Sequence, residues 1–158
     1  MPIDPPELAP LHTILPSEPL LLMGAGPVPI PHAVAQANGV VINHLGETMG
    51  RVVEAIKRMA RYAFQTESEK VLGVAGPSSA AMEMALANLA WPGRRVLTIK
   101  NGTFSGRLGE MARGVGAEVT VLEADLAQSM SVERVRDCFA RGKFDLVTLV
   151  QGETSSGV

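Results

Sequence analysis

The sequence predicts an α/β fold built on a mostly parallel sheet. From Glu69 onward, short runs rich in β-branched residues alternate with longer stretches whose apolar residues recur at helical spacing. Glycine and proline punctuate the changes of rhythm, as at Trp91-Pro-Gly93 and Gly116. Hydrophobic residues make up 46% of the 158 and charged residues 19%, which suits one sizeable core and excludes a disordered chain.

Taken in order, residues 1–19 are proline-rich and lack an apolar period, which predicts an extended arm needing another surface to lie on. Residues 19–29 form a short apolar run closing in a Gly/Pro turn. Gly24 and Gly26 in that turn permit close backbone approach to a ligand, and tight-turn geometry accounts for them equally well. Between residues 49 and 64, Val52, Val53, Ile56, Met59, Ala60 and Phe64 define one face of an amphipathic helix. Beyond it, strands are predicted at 71–75, 95–99, 118–122 and 144–150. Helices are predicted at 78–89, 104–115 and 131–140, the last opened by Ser131 as a cap with Arg134 where the ideal capping box has an acid. Strands joined by such helices imply βαβ units, and hence parallel pairing.

The net charge of -2 gives no electrostatic reason to expect nucleic acid or an anionic membrane as partner. Cys138 is the only cysteine, so no intrachain disulfide and no cysteine-based metal cluster is expected. It is read as a small hydrophobe on the core face of its helix, in a reducing cytoplasm. His12, His32 and His44 lack metal-ligand spacing. The run Leu20-Leu-Leu-Met23 is too short to span a membrane, and the first residues carry no basic leader, so a soluble cytoplasmic protein is expected.

Three turns at predicted strand ends carry polar chemistry. In an open α/β sheet, ligands bind just beyond the carboxyl ends of the strands. Gly76-Pro-Ser-Ser79 opens a helix: with Ser78 or Ser79 as cap, its free N–H groups and two hydroxyls suit a phosphate, and an ordinary serine cap explains the same residues. The lysine of a nucleotide-binding P-loop is missing there. Asn101-Gly-Thr-Phe-Ser-Gly-Arg107 opens the next helix. Glu123 follows at a distance that superficially suits a dinucleotide site, but the second and third glycines of that fingerprint fall on Phe104 and Arg107. Phe104 at a strand end suits stacking on a flat ring, or a place in the core. Gln151-Gly-Glu-Thr-Ser-Ser-Gly157 follows the last strand and places Thr154 in the same region, unless the loop is merely solvated. His44 reads best as structural and Lys100 as a solvated strand-end lysine.

These segments resemble a family. Gly24-Ala-Gly-Pro-Val-Pro29, Gly76-Pro-Ser-Ser-Ala-Ala-Met-Glu83, Asn101-Gly-Thr-Phe-Ser-Gly-Arg107 and Glu153-Thr-Ser-Ser-Gly-Val158 stand in the order and spacing of class V aminotransferases of fold type I. The alanine–glyoxylate and serine–pyruvate branch is most similar. The resemblance implies the following. The cofactor is pyridoxal 5'-phosphate, its phosphate held by the turn of Pro77, Ser78 and Ser79. Phe104 stacks on its ring, Thr154 hydrogen-bonds it, and Gly26 lets the backbone reach the substrate carboxylate. It also implies a homodimer and transfer of an amino group between alanine or serine and glyoxylate or pyruvate. Pro77 and Ser78 depart from the family's glycine-rich turn, and Pro77 removes one N–H donor. In the family, the lysine of the Schiff base and the acid on the pyridine nitrogen lie beyond the Glu-Thr-Ser-Ser-Gly loop. Residues 20–158 are therefore expected to be the first half of a cofactor-binding large domain, inactive by itself. The alternatives are a Rossmann-like nucleotide-binding domain and a non-catalytic dimerisation remnant.

Overall fold

Parallel pairing of three strands organises residues 67–158. In the computed structural model, which describes residues 7–18, 20–22, 26–125 and 127–158, the chain divides into two compact units, Met1–Thr66 and Glu67–Val158. The first unit holds α1 (Leu11–Ile14), α2 (His32–Asn38) and α3 (Glu47–Phe64). Two of these depart from expectation. Residues 11–14 are not extended but make one helical turn, in which Thr13 Oγ1 donates to the Pro10 carbonyl at 2.7 Å. The short α2 follows Pro31, which has the fixed φ of a good helix opener and hides the start from a periodicity search. Helix α3 ends at Gln65 in the left-handed region (φ 49°), where the side-chain Nε2 donates to the Tyr62 carbonyl at 2.7 Å. Of the predicted apolar face, Val52, Val53, Ile56, Met59 and Phe64 are exposed in the chain and Ala60 is half-buried.

The second unit runs α4 (Ser78–Leu89), β1 (Arg95–Lys100), α5 (Thr103–Gly114), β2 (Glu118–Glu123), α6 (Val132–Arg141) and β3 (Leu146–Thr148), with sheet order β2-β1-β3 and both pairings parallel. The predicted helices appear within one residue of their expected bounds, and Ser131 caps α6 by accepting from the Arg134 N–H at 3.2 Å. Two strand predictions need correction. Residues 71–75 form no strand: the Val71 N–H turns back to the Glu69 carbonyl at 3.0 Å, and Leu72 is 77% exposed. An apolar run becomes a strand only where a neighbouring strand takes up its backbone groups, and none among the described residues does so here. The last strand contracts to β3, whose three residues pair with Val96, Leu97 and Thr98.

Helix α5 covers one face of the sheet, and α4 packs against α5. Leu86, Ala90, Val96, Ala112 and Ala117 form the buried centre, with Leu108, Met111, Val115, Val119 and Leu146 packed around it. Helix α5 sits close to β1 because Gly109 lies over Thr98, where an added Cβ would stand 2.9 Å from Thr98 Oγ1. The buried Thr98 hydroxyl is satisfied sideways by Thr148 Oγ1 at 3.0 Å, which also ties β3 to β1. At the other end of β1, the Arg95 N–H donates to Asp145 Oδ2 at 2.8 Å, and this bond helps hold the Asp145 carboxyl below its ordinary range. Helix α5 closes through Gly116, whose φ of +89° and contact with Pro92 leave no place for a side chain. No helix of the described residues is long and apolar enough to cross a membrane.

Replacing Gly109 with valine drives two methyl groups into Thr98. We expect Gly109→Val to lower stability by about 1–3 kcal/mol in urea unfolding. An unchanged midpoint would mean that α5 is not seated on β1 as described.

Candidate functional site

The carboxyl ends of β1 and β3 lie side by side, so the loops that leave them meet. The first loop opens α5 through Gly102 and the second is residues 149–158. Their junction is the Glu153 side chain, which is fully buried. It accepts hydrogen bonds from the Ser105 N–H (2.8 Å) and Oγ (2.9 Å), the Phe104 N–H (3.3 Å), and the Ser155 N–H (3.2 Å) and Oγ (2.7 Å). Ser155 Oγ in turn accepts from the Thr103 N–H at 2.7 Å, and the Gly106 N–H reaches the Gly102 carbonyl. The first-turn donors of α5 are thus satisfied from within the chain. Burial by itself raises the Glu153 pKa, but the hydrogen bonds from Ser105 and Ser155 outweigh it and hold the group at about 2. Gly102 is required at this point, since a Cβ there would collide with the Glu153 side chain and Ser155 Oγ.

Helix α4 starts differently. Its cap is Pro77, which has no side-chain acceptor, so neither Ser78 nor Ser79 caps the helix as expected. Both are its first helical residues. The Ala80 N–H closes onto the Pro77 carbonyl at 2.8 Å, leaving the N–H groups of Ser78 and Ser79 without an acceptor among the described residues. Ser79 is half-buried, and its hydroxyl accepts from Arg107 Nη1 at 3.3 Å. Phe104 is 38% exposed, with the Arg107 guanidinium carbon 5.3 Å from its ring centroid. Thr154 is exposed, and its hydroxyl has no hydrogen-bond partner among the described residues. Asn101 Oδ1, at the end of β1, is buried without a partner.

Of the residues expected to bind ligand, Pro77, Ser78, Ser79, Phe104 and Thr154 all belong to the second unit. Gly26 belongs to the first; it has open space around it, and Gly24 lies outside the described residues. Lys100 is a partly exposed strand-end lysine, and its ammonium pairs with Glu123 at 2.6 Å. Cys138 is only half-buried, and lines a cavity of about 630 Å³ with Thr120, Leu122, Arg134 and Phe144, apart from every predicted site residue. Glu153, Ser105, Ser155 and Arg107 were not expected in these roles. Ser105, third in its helix after a glycine cap, is the one whose position carries a local signal, because its hydroxyl can turn back on the cap backbone.

No family model matches the chain. Alanine–glyoxylate aminotransferase of Oryctolagus cuniculus is 37% identical over 139 residues, covering 87% of this chain and 36% of that protein. The same-named protein of Mus musculus is 34% identical over 157 residues, covering 99% of this chain and 37% of its own. Among solved structures, alanine–glyoxylate aminotransferase from Nostoc sp. superposes with a TM-score of 0.80 at 32% identity, over 96% of this chain and 42% of that one. Over nearly its whole length the chain is similar to the class V aminotransferase family. Ureidoglycine–glyoxylate aminotransferase from Bacillus subtilis aligns with a TM-score of 0.82 at 28% identity, over 90% and 37%. The sheet and its covering helices are part of this family's fold type I domain, and the chain spans 36–37% of the two mammalian relatives' length.

Glu153 gives this chain a pH signature. Because its folded pKa lies near 2, below the ordinary 4.5, its contribution is complete above about pH 4.5 and is lost as pH falls towards 2. Glu153→Gln keeps the shape but sets an amide N–H₂ against inward-pointing donors. We expect it to cost about 1–3 kcal/mol at pH 7, with the gap to wild type narrowing between pH 4.5 and 2 in chemical unfolding. A gap that stays constant over that range would contradict the buried carboxylate.

Proposed function

We propose that the β1 and β3 strand ends and the start of α4 hold pyridoxal 5'-phosphate, and that the protein transfers amino groups. The observation that carries this reading is the difference between two neighbouring helix N-termini. That of α5 is filled by the chain's own carboxylate, while that of α4 is open beside a half-exposed aromatic ring. The chain's residues fit the cofactor. The free N–H groups of Ser78 and Ser79 and the Ser79 hydroxyl receive its phosphate, with Pro77 fixing the turn. Phe104 lies against the ring and Thr154 offers its unpartnered hydroxyl. Once bound, pyridoxal phosphate supplies an electron sink for the bonds at an amino acid's α-carbon.

The relatives' names support glyoxylate as amino acceptor, since both alanine–glyoxylate and ureidoglycine–glyoxylate aminotransferases carry it. We assign a small amino donor such as alanine or serine, and a small 2-oxo acid, glyoxylate or pyruvate, as acceptor. Gly26 admits the substrate carboxylate to the backbone. None of the four lysines bonds the cofactor in this reading. Lys100, the one at a strand end, is committed to Glu123, and residues 1–158 alone do not transaminate. In this assignment residues 1–19 are an arm crossing a homodimer partner, 20–158 belong to the large domain, and the protein is cytoplasmic. The dinucleotide alternative is opposed by the same geometry: Glu153 occupies the helix N-terminus that a pyrophosphate needs, and Lys100 holds Glu123.

Titration with pyridoxamine 5'-phosphate, NAD and S-adenosylmethionine tests the reading. We expect the pyridoxamine phosphate alone to bind, and Phe104→Ala to weaken it by about threefold to tenfold through lost ring stacking. Tight binding of either nucleotide cofactor would overturn the assignment.

A further inference from the structure

Arg107 belongs to none of the roles assigned above. It lies one turn along α5 from Phe104, and a helical side chain runs back towards its own N-terminus. Its guanidinium therefore reaches the strand-end opening, touching Ser79 Oγ at 3.3 Å and lying over the Phe104 ring. It is half-buried, and it forms no ion pair among the described residues. A serine hydroxyl does not neutralise a cation, and the Glu153 oxygens are committed to Ser105, Phe104 and Ser155. A partly desolvated positive charge thus converges with two unpartnered N–H groups on one opening.

We propose that Arg107 is a direct ligand of the cofactor's phosphate, bridging it from Ser79 on α4 to the ring wall on α5. The inference rests on the cofactor reading above. It also answers the departure at Pro77, where a phosphate loses one backbone donor: the guanidinium supplies donors and charge from the side. Its contact with Phe104 makes phosphate and ring binding share one side chain.

The test compares pyridoxamine 5'-phosphate with pyridoxamine, which lacks the phosphate and, like its ester, has no aldehyde to react with lysines. Equilibrium titrations on wild type, Arg107→Met and Arg107→Lys, followed by the ligand's ring fluorescence, give the four ratios needed. We expect Arg107→Met to weaken the phosphorylated ligand about tenfold to hundredfold, and pyridoxamine by no more than about twofold. Arg107→Lys should fall between, keeping the charge but losing the fork. Inorganic phosphate should compete with the phosphorylated ligand on wild type and lose that competition in Arg107→Met. If both ligands weaken in equal proportion, or neither does, Arg107 serves the ring or the fold and the proposal is overturned. Should Arg107→Met fail to fold by far-ultraviolet circular dichroism, Arg107→Lys decides by the same ratio. A wild type that binds both ligands alike would overturn the cofactor reading itself, and this inference with it.

Discussion

The Glu153 carboxylate is surrounded by groups that donate, and that fact constrains everything near it. Two N–H groups of the α5 first turn, two serine hydroxyls and a further N–H all point at its oxygens. Protonating it, or replacing it with an amide, sets donor against donor in a space closed to water. The group is therefore held ionised, and the loop that carries it is fixed on α5. Gly102 is the steric counterpart of the same contact, since the carboxylate reaches the helix only where no Cβ intervenes. Phe104 and Thr154 inherit their relative placement from this clamp, one following Gly102 and the other adjacent to Glu153.

Filling one helix terminus also sets another apart. Helices α4, α5 and α6 each present an N-terminus that would attract an anion through its dipole. Ser131 caps α6 and Glu133 sets a carboxylate in its first turn, and Glu153 satisfies α5 internally. Helix α4 alone of the three has neither a side-chain cap nor a carboxylate at its start among the described residues. The start of α4 is not held by a paired strand, because residues 71–75 have none. Its position depends on packing between α4 and α5 and on the Arg107–Ser79 hydrogen bond. Arg107 thereby connects the part of the site that the sheet fixes to the part that it does not.

Local pattern made most elements legible, and non-local pairing explains what it missed. Helices α4, α5 and α6 and strands β1 and β2 follow from spacing that a short window contains, so their bounds come out nearly right. The run at 71–75 has the same apolar character as β1 but lacks a neighbour, and no local window reports on that. Glu153 is hidden from local pattern for the same reason. A carboxylate in a loop of serines and glycines looks solvated, and the donors that bury it come from residues 48 and 49 positions away. The glycine-cap and serine motif at 102–105 was readable, but the residue that completes it was not. In the sequence Arg107 marks only the place where a dinucleotide fingerprint fails, although the arginine there has a positive use of its own.

Strand order accounts for which acids take part. Because β1 is central, its end has a neighbour on each side: Lys100 stands opposite Glu123 on β2, and Thr98 opposite Thr148 on β3. Adjacent strands lie about 4.8 Å apart, so an acid a few residues beyond either neighbour can reach the end of β1. The two sides use that reach differently. On the β2 side the acid ends the strand itself and meets the Lys100 ammonium in a surface pair, worth little energetically but enough to occupy both groups. On the β3 side the chain leaves the sheet early, after Thr148, and its loop has the length to turn back over Gly102 and bury Glu153. Had β3 continued through Val150 as a strand, that acid would emerge farther from α5. The shortness of the last strand is thus what allows the clamp to form.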